Sequence, residues 1–204
     1  MSVLRIRYLG EPVLRARAEP VAEITDEIRR LAQDMVDTML DEPGLGLAAP
    51  QVGESLRMVV VRIVSENQDE EDTEEEKPTV AVLVNPEVIE SSEETITRRE
   101  GCLSLPTLWG EVTRPKSVAV RAVDLMGRPM EMHGEGLMAR VLLHEIDHLD
   151  GTVFLDKANP DTLVWLVPDE DQEEGYREDP TTVEEVTARF EHIARRRRAK
   201  EAEL

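Results

Sequence analysis

Apolar side chains recur at Ile28, Leu31, Met35, Val36 and Met39, one stripe along a helical surface, and predict a first helix over roughly Thr25 to Leu40. Thr25 or Asp26 can cap it, Glu27 adds negative charge to its first turn, and Pro43-Gly44 ends it. Residues 44–53 are small, glycine-bearing and almost free of charge. Beyond them the pattern turns β-branched, predicting strands at Arg57–Val64, Thr79–Asn85, Thr95–Arg98, Ser117–Val123 and Pro129–His133. A second helix runs from about Gly136 to Asp150, with Leu137, Met138, Val141, Leu142, Ile146 and Leu149 at helical spacing and Gly151 as its stop. After Phe154 the chain becomes acidic and proline-bearing. A last helix starts at Thr181 or Thr182, where Thr182 and Glu185 have capping-box spacing, and it ends in the basic run Arg195 to Lys200. The expected fold class is α+β: antiparallel or mixed sheets packed around the second helix, with a further C-terminal helix.

Composition changes this picture in two places. The net charge of −20 over 204 residues disfavours binding to DNA or other nucleic-acid phosphates as a general activity. Much of that charge lies in two runs, Glu66 to Glu76 and Asp169 to Glu174, which repel themselves and read as solvated loops. The first falls between two strands, so about 65–78 is expected to be an acidic hairpin insertion in a catalytic domain of residues 1–157. Residues 158–204 are then an acidic linker and a basic-ended helical extension. The single cysteine, Cys102, makes no intrachain disulfide. No stretch approaches the ~20 apolar residues of a membrane span, and the N-terminus lacks the apolar run of a signal peptide, so the expected location is the cytoplasm.

Candidate chemistry centres on the second helix. His144-Glu145-Ile146-Asp147-His148 is an H-E-x-x-H pattern. Two histidines four apart project from one helix face and can grip one metal ion, while Glu145 can handle the protons of an attacking water. The apolar flanks imply burial, and buried imidazoles and carboxylates need partners. A catalytic site of this kind takes a third protein ligand. A metzincin protease would require histidine where Phe154 stands, so that class fails on its own ligand. A thermolysin-like protease would need a downstream glutamate, and those here lie in segments that read as solvated. Cys102 is the remaining candidate, a soft donor preceded by Gly101; a lone cysteine is equally a small buried apolar residue.

Three motifs occur in order: Gly44-Leu45-Gly46-Leu47-Ala48-Ala49-Pro50-Gln51, Glu100-Gly101-Cys102-Leu103-Ser104, and His144 to His148. With them the chain resembles the peptide deformylases over about residues 3–157, a family marked by G-x-G-x-A-A-x-Q, E-G-C-L-S and H-E-x-D-H. One departure is Leu143, where the family usually has glutamine. The resemblance implies that Cys102, His144 and His148 bind one divalent metal, typically Fe(II), with zinc, nickel or cobalt accepted. It implies hydrolysis of the N-formyl group of the initiator methionine of nascent chains, giving formate, with Glu145 as base and then acid. Gln51 through its side-chain amide and Leu103 through its N–H would face the developing oxyanion. Gly46 is the expected place for backbone pairing with a formylmethionyl peptide. Leu45, Leu137 and Val141, bordered by Arg140, are expected to line the methionine pocket. Glu100 and Arg114 are expected to pair beside Cys102, and Asp147 to orient a ligand. Because deformylases work at the ribosomal tunnel exit, the basic C-terminal helix is a candidate ribosome contact. The rival expectations are a metalloprotease cutting internal peptide bonds, and a metal-binding or ribosome-associated protein without catalysis.

Overall fold

A computed structural model describes residues 2–63, 78–172 and 174–201. The acidic run expected to form a hairpin insertion lies outside the described residues, apart from its last position, Pro78.

Helix α1 (Asp26–Asp41) starts where the sequence places it, with the Thr25 hydroxyl accepting from the Ile28 N–H. Strands β1 (Gly46–Ala48), β2 (Met58–Arg62), β3 (Val80–Ser91), β6 (Ser117–Val123) and β7 (Pro129–Glu135) form one antiparallel sheet in the order β1-β2-β3-β6-β7. Strands β4 (Thr95–Cys102), β5 (Leu105–Pro115), β8 (Val164–Pro168) and β9 (Tyr176–Pro180) form a second, in the order β4-β5-β8-β9. Helix α2 (Leu137–Leu149) carries the H-E-x-x-H residues, and α3 (Val183–Glu201) closes the chain.

The five-stranded sheet is covered on both faces, which is why β2 is apolar without alternation. Val59 and Val61 share a core with Val141, Leu142, Ile146 and Leu149 of α2; Met58 and Val60 share another with Ala32, Met35 and Met39 of α1. Helix α2 is thereby fixed along its length against a sheet. Two residues past its end Gly151 turns the chain at φ +75, and a Cβ there would come 2.7 Å from the Arg15 carbonyl oxygen. Leu143, the departure from the family motif, is half-buried and packs against the α2 core, so an apolar side chain is satisfied there.

The second sheet departs from the sequence reading. Strand β5 buries Leu105 and then Leu108, Gly110, Val112 and Arg114 on alternate positions, and the glycine and arginine conceal the period. Residues 158–180, read from composition as an acidic linker, contain β8 and β9. The last helix starts with the expected capping box: the Glu185 N–H donates to Thr182 Oγ1 and the Thr182 N–H to Glu185 Oε2. It is no solvated appendix, because Val186, Phe190 and Ala194 are buried, and Val186 and Phe190 join a core with Leu9, Leu105, Leu108 and Trp165.

Candidate metal centre and active site

The sheet edge at β1, the turn joining β4 to β5, and the buried face of α2 meet at one point. Strand β4 ends at Cys102, whose Cα pairs with Leu105 across a two-residue turn, so the sulfur is held at the lip of the second sheet. Helix α2 presents His144 and His148 one turn apart. Donor atoms of Cys102, His144 and His148 all lie within 4.8 Å of one another. His148 Nε2 is 3.2 Å from Cys102 Sγ. His144 Nδ1 lies 2.9 Å from Glu100 Oε2, which leaves its Nε2 as the free donor.

These residues fit a metal ion. Burial opposes charge on His144, yet the Cys102 sulfur and the Glu100 carboxylate overcome it and raise its proton affinity well above that of free imidazole. Burial, then the charge of His144, push His148 the opposite way. A thiolate with two imidazoles, their donor atoms within 4.8 Å of one another, is a donor set for a borderline divalent metal.

Glu145 is buried beside the cluster. Burial pushes its carboxyl from 4.5 up to about 7, and its Oε2 has no hydrogen-bond partner among the described residues. Gly46 makes room for it: a Cβ there would stand 2.5 Å from Glu145 Oε1 and 2.7 Å from its Cγ. On the motif alone Gly46 faces a peptide; its role toward Glu145 follows only from the fold. Gly46→Ala is expected to fold and retain metal while activity falls about 10²-fold through a displaced carboxylate, measured as turnover per bound metal.

Gln51 is buried, and its Oε1 accepts from the Ala48 N–H at 2.7 Å. That bond turns Nε2 toward Cys102 Sγ, 3.5 Å away, so the amide donor faces the cluster. Leu103 lies in the β4–β5 turn. Leu45, Gly46, Gln51, Leu103, Leu137, Arg140, Val141, His144 and Glu145 all line one cavity of about 460 Å³, with Cys102 at its wall. His148 sits behind that wall and does not line it.

Glu100 is the charged hub behind the ligands. It accepts two bonds from Arg114, one from Arg140 and one from His144. Burial works against its charge, but hydrogen bonds from Arg114 and His144 and their charges hold its carboxyl at about 2. The expected Glu100–Arg114 pair is present. The carboxylate that meets His144, however, is Glu100 and not Asp147, whose oxygens accept from Arg114 and Lys157. Asp147 is on the ligand helix but faces the Arg114 side, so it reaches His144 only through Arg114 and Glu100. The Arg140 guanidinium is committed to Glu100 and to the carbonyls of Ile96 and Val112.

The polypeptide deformylase family model matches residues 3–163. The chain belongs to this family. It is 45% identical over 156 residues to a peptide deformylase of Brucella suis, covering 76% of this chain and 85% of the relative. It is 42% identical over 174 residues to one from Thermomicrobium roseum, covering 85% and 96%. Among solved structures it is similar to a peptide deformylase from Legionella pneumophila, with TM-score 0.69, 41% identity, and 78% and 88% of the two chains covered. A peptide deformylase from Synechococcus elongatus in complex with actinonin superposes with TM-score 0.67 at 37% identity, covering 76% and 79%. Deformylases are metal-dependent, which agrees with the Cys/His/His cluster.

Sequence reasoning missed part of the deformylase cavity. Ile6, Tyr8 and Trp109 also line it. The first two lie in an N-terminal segment without regular structure and carry no periodic signal. Trp109, on β5, was hidden with that strand, and its exposure, 36%, is visible only in the fold.

Proposed function

We propose that this chain removes the N-formyl group from the initiator methionine of nascent polypeptides, releasing formate and a free amine. The observation that carries the reading is the Cys102, His144 and His148 cluster set at the wall of one cavity, lined also by Glu145 and Gln51, in a chain of the deformylase family. Cys102, His144 and His148 would hold a divalent metal, Fe(II) by family habit, with zinc, nickel or cobalt acceptable to the same donors. When bound, such an ion supplies Lewis-acid chemistry: it lowers the pKa of water and polarises a carbonyl.

The residues of the chain do the rest. Glu145, buried beside the cluster and over Gly46, takes the proton of the attacking water and returns it to the departing nitrogen. Glu100 keeps His144 in the tautomer whose Nε2 is free. Gln51 aims an N–H donor at the place where the formyl oxygen gains charge, and the Leu103 N–H, in the adjoining turn, is its proposed partner. Strand β1 is an edge strand, so the peptide is taken as an added strand along it at Gly46. Leu45, Leu137 and Val141 then provide the apolar surroundings a methionine side chain requires, with Arg140 at the border.

No helix among the described residues is long and apolar enough to cross a membrane, and work on nascent chains places the enzyme in the cytoplasm. Contact with the ribosome through α3 is part of this reading. Arg195 and Arg196 are exposed and supply its charge. Because Val186, Phe190 and Ala194 are core residues, charge reversal at Arg195 and Arg196 probes that contact more cleanly than deletion of the helix.

The test is the identity of the product. Metal-loaded protein is incubated anaerobically, since iron and thiolate both oxidise, with formyl-Met-Ala-Ser and with an unformylated peptide. Formate from the first and no cleavage of the second is the expected result. Cleavage of an internal bond would establish a metalloprotease, and no product with iron, nickel, cobalt or zinc would establish a protein without catalysis.

A further inference from the structure

The segment from Ile6 to Leu9 forms no regular element, yet it is tied to both loops of the site. The Arg7 N–H donates to the Gln51 carbonyl at 2.7 Å, and the Leu9 N–H to the Ser104 carbonyl at 3.1 Å. Ile6 and Tyr8 line the cavity. This strap therefore forms one wall of the groove and underlies the residues on either side of it.

What holds the strap comes from the far end of the chain. The Arg197 guanidinium lies over the Tyr8 ring, 3.8 Å from its centroid, and Nη1 donates to the Ile6 carbonyl at 3.4 Å. It is also 3.9 Å from Glu11 Oε1, the same carboxylate that accepts from the Tyr8 N–H and from Arg7 Nη1. Phe190, two turns earlier on the same helix face, meets Tyr8 edge-on at 6.2 Å. Val186, Phe190, Ala194 and Arg197 thus form one stripe, in which the arginine continues the apolar contact. Its neighbours Arg195 and Arg196 are exposed.

We propose that Arg197 is a positioning residue for substrate: from the C-terminal helix it clamps the strap 6–9 and so fixes the groove wall at Ile6 and Tyr8. This rests on the reading that the groove takes a formyl peptide. Arg197 touches neither the metal ligands nor Glu145, so its effect falls on peptide binding and not on the proton-transfer step.

The experiment compares full-length wild type, Arg197→Ala, Arg197→Lys and the exposed control His192→Ala. Formate release from formyl-Met-Ala-Ser gives kcat and KM. Calorimetric titration with the product peptide Met-Ala-Ser gives binding without turnover. Arg197→Ala is expected to raise KM and the product Kd together by about 3–10-fold, the scale of one cation–π contact, with kcat within about twofold. Arg197→Lys, which keeps the charge but not the planar stack, is expected to fall between. His192→Ala is expected to match wild type. Tyr8→Leu should raise KM by itself, and adding Arg197→Ala to it should change little, since the two act through one contact. Unchanged KM and Kd in Arg197→Ala would overturn the proposal. So would a lower kcat at constant KM, the pattern of a smaller folded fraction. If Arg197→Ala does not fold, Arg197→Lys decides alone, an unchanged KM being the overturning result. Wild type that releases no formate would instead sink the functional reading beneath it.

Discussion

Glu145→Gln is expected to fold, keep its metal, and release formate about 10²–10⁴-fold more slowly than wild type, the range for loss of a positioned acid–base group. The glutamine amide occupies the same space over Gly46, so geometry is preserved while the proton carrier is removed. A second reading of the same variant checks the cause. In the metal-free protein, burial raises this carboxyl from 4.5 to about 7, so its ionised form opposes folding. Wild-type stability should then decline as pH rises through that window, and the variant should not share the decline. Metal-free Glu145→Gln is accordingly expected to melt higher than metal-free wild type at pH 8 and alike at pH 4, measured by circular dichroism. Metal-loaded variant retaining most of the wild-type rate would remove Glu145 from the proton pathway.

Cys102→Ala is expected to abolish the metal centre while leaving the fold intact. The side chain is half-buried at the margin of the second-sheet core, so the cost of deleting one sulfur from packing is small. Its chemical cost is large, because the only anionic donor of the three is lost. Removing an outer partner of a ligand typically weakens metal binding about 10–100-fold, and removing a ligand exceeds that. Metal content after dialysis, measured by atomic emission, should fall from about one equivalent to a small fraction, and formate release to the level of metal-free wild type. A fully loaded, active Cys102→Ala protein would show that the third ligand lies elsewhere.

These two residues differ in how legible they were. His144, Glu145 and His148 announce themselves because their spacing equals one helical turn and their neighbours Val141, Leu142, Ile146 and Leu149 mark the helix as buried. Cys102 had no such local signature; the residues alone left it open between ligand and core, and only the E-G-C-L-S match favoured one. The strands covered by α1 and α2 were legible because Val59 to Val61, Leu83 and Val118 to Val120 are apolar in runs. Strand β5 was not, since its buried face includes Gly110 and Arg114 and it contains Pro106 and Pro115. Strands β8 and β9 were masked by acidic composition, although Val164 to Val167 is itself an apolar run.

Long-range contacts account for the remainder. Asp147 adjoins His148 in sequence, yet Glu100, 44 residues from His144, is the carboxylate that hydrogen-bonds His144. Tyr8 and Arg197 are at opposite ends of the chain, and no periodicity links them. Charge patterning found the arginine run but not that one member faces inward. The side a helix presents to its partner depends on the packing of Phe190 and Val186 and not on which residues are basic.

The cluster of Cys102, His144 and His148 is proposed to bind one ion, on which hydrolysis of a formyl amide would depend. Metal-free enzyme titrated anaerobically with Fe(II), with formate release from formyl-Met-Ala-Ser followed at each addition, tests this most directly. The rate is predicted to rise in proportion to added metal and to break at one equivalent per chain, with Cys102→Ala showing no rise. Full activity without metal, or one tightly bound equivalent without formate release, would contradict it.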